Sequence, residues 1–165
     1  AAGLRGHETV SDALADPVVD GWVEDFWDAC ARHLTGEELE VPAYRQALRE
    51  RFANPRIAHH LAQIGMDGSL KLAARALPVY EAERAEGRSG LAALRTVAAW
   101  MDKVTQLVTA GEEVQDPAAD RIAQAVAVSG TSEQTRALIA VVEESLASDE
   151  DLVTALTGLR GTFND

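Results

Sequence analysis

Residues 91–108 read LAALRTVAAWMDKVTQLV. In this stretch Leu91, Leu94, Ala98, Met101, Val104 and Val108 recur at three- and four-residue steps, the spacing that places side chains along one face of an α-helix. Ser89 stands before it as a cap and Gly111 after it as a stop. A helix this long and apolar in a small chain belongs at the centre, and the same period extends from it in both directions. Downstream, Asp116-Pro117 opens a helix carrying Ile122 and Val126. Thr131 with Gln134 forms a capping-box pattern before Leu138, Val142 and Leu146, and Leu152, Leu156 and Leu159 close the chain. Upstream, Ser69 to about Ala76 reads as a short helix that Pro78 restarts or kinks, and Gly87 ends the turn that follows.

Asp16-Pro17 and Asn54-Pro55 mark two further helix starts, because proline has no N–H to lose in a first turn and the residue before it can cap. From Pro17 the stripe runs Val19, Val23, Phe26, Trp27, Cys30, Leu34 and stops at Gly36. From Pro42 it runs Tyr44, Leu48, Phe52, and from Asn54 it runs Ile57, Leu61, Ile64 until Met66-Asp67-Gly68-Ser69 breaks it. No hairpin signal competes. The expected fold is all-α, a multi-helical bundle of about eight helices in one domain spanning residues 1–165.

Composition narrows the function. The 165 residues carry 27 acidic and 15 basic side chains, a net charge of -12. Such a surface repels phosphate backbones and anionic lipid, so neither nucleic acid nor a membrane is an expected partner. One cysteine, Cys30, forms no internal disulfide, and no apolar run reaches the roughly 18 residues of a span, so a cytoplasmic location is expected. The opening Ala1-Ala2-Gly3-Leu4 has neither initiator methionine nor signal features and reads as a piece of something longer.

Few residues invite chemistry. Cys30 lies on an apolar stripe with no cation before it, which suits buried filler better than a nucleophile. Gly87-Arg88-Ser89-Gly90 lies between helices and reads as caps, not as a nucleotide cradle. His59 and His60 diverge by about 100° on a helix and so do not chelate one metal together; no metal is expected. His59 and Gln63, four apart, would share a helical face. Beyond the break, Lys71 (one of two lysines, with Lys103) and Arg75 could aim their charges at that face.

Residues 54–72, NPRIAHHLAQIGMDGSLKL, preceded by Arg51-Phe52, resemble the C-terminal domain signature of the mannitol dehydrogenase family. These are polyol-specific long-chain dehydrogenases that include fructuronate (hexuronate) reductases. Gly6-His7-Glu8-Thr9-Val10, with Asp12-Ala13 and Asp16-Pro17, extends the likeness. The match is specific from about Gly6 to Leu77. The fold this implies resembles the C-terminal domain of 6-phosphogluconate-dehydrogenase-like long-chain dehydrogenases.

The resemblance implies a two-domain oxidoreductase in which an N-terminal Rossmann domain, absent from this chain, binds NAD or NADP and the helical domain closes over the sugar. The family's Lys-x4-Asn-x2-His catalytic motif would lie upstream, so no catalytic residue is expected here and the chain alone should be inactive. Asp67, Gly68 and Ser69 would form the turn before Lys71, which inherits a substrate-contacting role by position. Gln63 stands where mannitol-oxidising members carry arginine, as in the hexuronate reductases. His59 also matches that branch, and His59, Lys71 and Arg75 would offer positive charge to a sugar carboxylate. The branch often has Pro and Gln where this chain has Ala73 and Ala74. The implied reaction interconverts a keto-sugar or keto-hexuronate with its polyol or aldonate. The alternative is a non-catalytic acidic helical module that binds a partner through an apolar groove.

Overall fold

A computed structural model describes residues 1–34, 36, 40–54 and 59–163. Among the described residues ten α-helical segments follow one another: α1 (Val10–Ala15), α2 (Pro17–His33), α3 (Val41–Phe52), α4 (Leu61–Ile64), α5 (Gly68–Lys71), α6 (Leu77–Ala85), α7 (Leu91–Ala110), α8 (Ala119–Val126), α9 (Thr131–Val142) and α10 (Glu150–Leu159). Short 3-10 turns lie at Ala2–Arg5 and Glu144–Ser148. Among the described residues the extended pairing is limited to an isolated bridge, Thr9 with His60.

Helix α7 is the axis, touching α2, α6, α8 and α10. Ala93, Val97, Ala98 and Met101 on it are wholly buried, and Leu94 and Val104 nearly so. Ile122, Leu138, Ile139, Leu152, Val153 and Leu156 from the three C-terminal helices fill the other side. Each large apolar side chain so buried contributes roughly 1.5–3 kcal/mol. Arg160 locks this half: it donates to Asp102 (2.9 Å), Thr105 (3.1 Å), Gln134 (2.7 Å) and Thr135 (3.1 Å).

Residues 68–85 form one continuous rod, because α5 passes into α6 through a π-helical stretch, Leu72–Ala76. Pro78 falls in the first turn of α6, where the π-helical stretch gives way again to α-helix. The widened turn ends with the Leu77 N–H on the Leu72 carbonyl, five residues back, immediately before the proline that cannot donate. At the foot of α7, Gly90 takes φ 63°, and a Cβ there would lie 2.6 Å from the Tyr80 ring. Ser89 Oγ accepts from the Leu91 N–H at 3.3 Å, so serine caps while glycine makes the approach.

Three expectations need correction. The helix opened by Asp116-Pro117 starts two residues later, at Ala119, with Asp116 accepting from the Ala118 N–H. The Thr131–Gln134 capping box does not form: Gly130 is the cap residue, and Gln134 spends its amide on the Val126 carbonyl and on Arg160. Helix α3 forms where Pro42 places it but buries none of its residues, and Tyr44 is 68% exposed. It is tied to α2 by Arg45 with Glu24 and Asp28, and by Arg49 with Asp20 and Glu24.

The other end of α2 is held by Glu83 of α6, 3% exposed, which receives Arg32 (2.8 Å), His33 (2.6 Å) and Arg88 (2.9 Å). Hydrogen bonds from Arg32, then His33 and Arg88, outweigh desolvation and pull its carboxyl from 4.5 to about 2. A carboxyl depressed in the folded state stabilises above its unfolded value and loses that contribution as it protonates. In denaturant titrations, the stability gap between the wild type and Glu83→Gln should therefore close as pH falls from 4.5 towards about 2. A gap independent of pH would mean that the carboxylate charge contributes nothing.

Candidate functional site

The break that the sequence places at residues 66–69 is a built turn. Asp67 takes a left-handed backbone, φ 54° and ψ 37°, which aspartate tolerates better than most residues. Gly68 follows because a Cβ there would overlap the Trp100 indole nitrogen on α7. Ser69 is 4% exposed, and its N–H and Oγ–H donate to the two oxygens of Asp116, at 2.8 and 2.6 Å. The Asp67 N–H reaches the Gln115 carbonyl at 2.9 Å.

Lys71 completes the first helical turn, its N–H donating to the Asp67 carbonyl at 3.0 Å. Its ammonium folds back over the turn onto the carbonyls of Ile64 (2.9 Å) and Met66 (2.6 Å). An ammonium has three N–H donors, and these two bonds use two of them. Among the described residues the third has no partner.

The histidines are placed differently from the expectation. His59 and His60 precede α4 and are not helical: His60 has φ −72° and ψ 128° and bridges to Thr9. The Val10 N–H donates to the His59 carbonyl (3.0 Å), and the Leu61 N–H to Glu8 (2.9 Å). These backbone groups are satisfied by the Glu8–Val10 segment and not by a helix of their own, so His59 and Gln63 share no helical face. Pro55 and Ile57, expected in the same helix, lie outside the described residues. The His59 ring stands edge-on to Phe52 at 5.9 Å, with its buried Nε2 unpartnered among the described residues.

Gln63 is exposed on α4, next to the Ile64 carbonyl that receives Lys71. Arg75 is exposed in the π-helical stretch and makes no ion pair among the described residues. The structure thus brings Lys71 against the backbone beside Gln63, while no bond among the described residues joins His59 or Arg75 to it. None of these four residues lines the cleft of about 520 Å³ between α2 and α3, whose walls include Trp27, Pro42, Arg45 and Arg49. The described residues hold no group of three metal-ligating side chains. Cys30 is half-buried, and desolvation pushes its thiol up, away from nucleophilic chemistry.

Sequence reasoning missed Trp100 and Asp116. Trp100 falls on the flank of the α7 stripe. Asp116 stands before a proline, a position read as a cap; it does cap Ala118, but nothing local announces that the same carboxylate clamps Ser69, 47 residues away.

The chain belongs to the mannitol dehydrogenase C-terminal domain family, whose model matches residues 1–159. It is 31% identical over 143 residues to the uncharacterised oxidoreductase YeiQ of Escherichia coli, covering 85% of this chain and 29% of that protein. It is 30% identical over 173 residues to the D-mannonate oxidoreductase of Escherichia coli, covering 98% of this chain and 30% of the relative. An altronate oxidoreductase of Halalkalibacterium halodurans matches 47% of the chain and 15% of its own length at 30% identity. In fold, Pseudomonas fluorescens mannitol 2-dehydrogenase, solved with NAD and D-mannitol, superposes with a TM-score of 0.81 at 22% identity, over 99% of this chain and 34% of that one. The chain thus spans less than a third of the length of the curated relatives it matches.

The tight fit at Gly68 makes a checkable claim. Gly68→Ala should lower thermal stability by about 1–3 kcal/mol, the range for overpacking. Leu70→Ala, at a side chain 58% exposed, should stay within about 0.5 kcal/mol. Equal effects of the two would show that Trp100 does not confine the turn.

Proposed function

We propose that this chain is the substrate-binding domain of an NAD(P)-dependent oxidoreductase. The enzyme would interconvert a keto-sugar or keto-hexuronate with its polyol or aldonate. The observation that carries this reading is the Asp67-Gly68-Ser69-x-Lys71 turn, which holds an ammonium on two backbone carbonyls and leaves it one donor. The names of the mannonate and altronate oxidoreductases support sugar acids as the substrate class. Gln63 stands at the position where the hexuronate-reductase branch carries glutamine and the mannitol-oxidising branch arginine, and this resemblance supports the same class over neutral polyols.

Among the described residues there is no strand leading through a glycine-rich turn into a helix. The nicotinamide is assigned to an N-terminal Rossmann-type domain outside this chain, together with the Lys-x4-Asn-x2-His base. The part played here is orientation. A charge-assisted bond from Lys71 to a sugar hydroxyl or carboxylate fixes the reacting carbon, and the helical face covering it keeps water from the proton transfer. His59 and Arg75 are proposed as outer members of the substrate-binding set, with Arg75 contributing positive charge.

In the full-length enzyme, Lys71→Ala should remove about 1.5–3 kcal/mol of binding in the transition state, roughly a 10- to 150-fold loss in kcat/KM for the natural sugar. Unchanged kinetics would remove Lys71 from the site. Gln63→Arg should raise the ratio of polyol to hexuronate activity, because it restores the arginine that mannitol-oxidising members of the family carry at this position; a fall in that ratio across a substrate panel would argue that the new cation recruits the hexuronate carboxylate instead.

A further inference from the structure

The turn that carries Lys71 is held from a distance. Asp116 lies in the loop after α7, and its two oxygens take the two donors of Ser69, at 2.8 and 2.6 Å. The neighbouring Gln115 carbonyl takes the Asp67 N–H at 2.9 Å, on the other side of Gly68. Asp116 Oδ1 also accepts from the Ala118 N–H at 2.9 Å, which anchors the carboxylate to the start of α8. Trp100 closes the face of the turn that these bonds leave open.

Only a group with two adjacent acceptors can receive both Ser69 donors in this way. With Ser69 fixed, the backbone of residues 67–71 is fixed, and with it the origin of the Lys71 side chain. Two of the three ammonium donors are then committed to Ile64 and Met66, so tetrahedral geometry sets the direction of the third. We propose that Asp116 is a positioning residue for the sugar: acting through Ser69, it aims the free N–H of Lys71. The inference rests on Lys71 being a sugar-binding residue, as proposed above.

The test is a double-mutant cycle in the full-length enzyme, with Asp116→Ala and Lys71→Ala singly and together. Asp116→Ala should lower kcat/KM for the sugar about tenfold and leave KM for the nicotinamide cofactor within about twofold. On the Lys71→Ala background it should cost less than about twofold more, since the group it aims is gone. Asp116→Asn should recover part of the loss, because the amide oxygen still accepts from the Ser69 N–H and the amide NH2 can donate to Ser69 Oγ. If Asp116→Ala does not fold, Ser69→Ala and Asp116→Asn carry the same cycle. Equal losses on both backgrounds, or losses in sugar and cofactor KM together, overturn the positioning role and leave Lys71 in place. A Lys71→Ala enzyme with full activity overturns the sugar-binding reading itself, and this inference with it.

Discussion

Close packing around α7 is the constraint on which the rest depends. Alanines at 93, 98 and 99 let neighbouring helices approach, while Val97 and Met101 fill the space between them. A helix held on so many sides has one rotation and one register. That register places Trp100 beside Gly68 and sets where the chain leaves the helix at Gly111, hence where Gln115 and Asp116 arrive. A turn remote in sequence is thereby shaped by the core.

Much of this was legible in the chain itself. Helix α10 follows from its leucine stripe, and α2 and α7 follow from stripes, caps and breakers that agree with one another, as at Asp16, whose side chain accepts from the Val18 N–H at 2.9 Å. The stripe misled at α3, because periodicity reports a face without reporting what covers it. It misled again at His59 and His60, where pairing with the segment around Thr9 supplies the hydrogen bonds that a helix would have supplied. Gln134 matched a local pattern and was taken by two distant groups, Val126 and Arg160.

The site was half legible, for the same reason. Asp67, Gly68, Ser69 and Lys71 lie within five residues, and each has a local cause: a left-handed position, a missing Cβ, a hydroxyl, a cation. Asp116 and Trp100 act across 47 and 32 residues of sequence, with no period or spacing to reveal them. What the motif looks like is a string of side chains; what holds it in shape is a loop and an indole from elsewhere in the fold.

Helix α3 has a different kind of attachment, with consequences for motion. It contributes no buried residue, and its link to α2 runs through guanidinium–carboxylate pairs that stay partly exposed to water. Such pairs weaken as dissolved ions crowd around them, whereas the oily interface of α7 does not. Amide exchange in α3 should quicken with ionic strength while exchange in α7 barely responds.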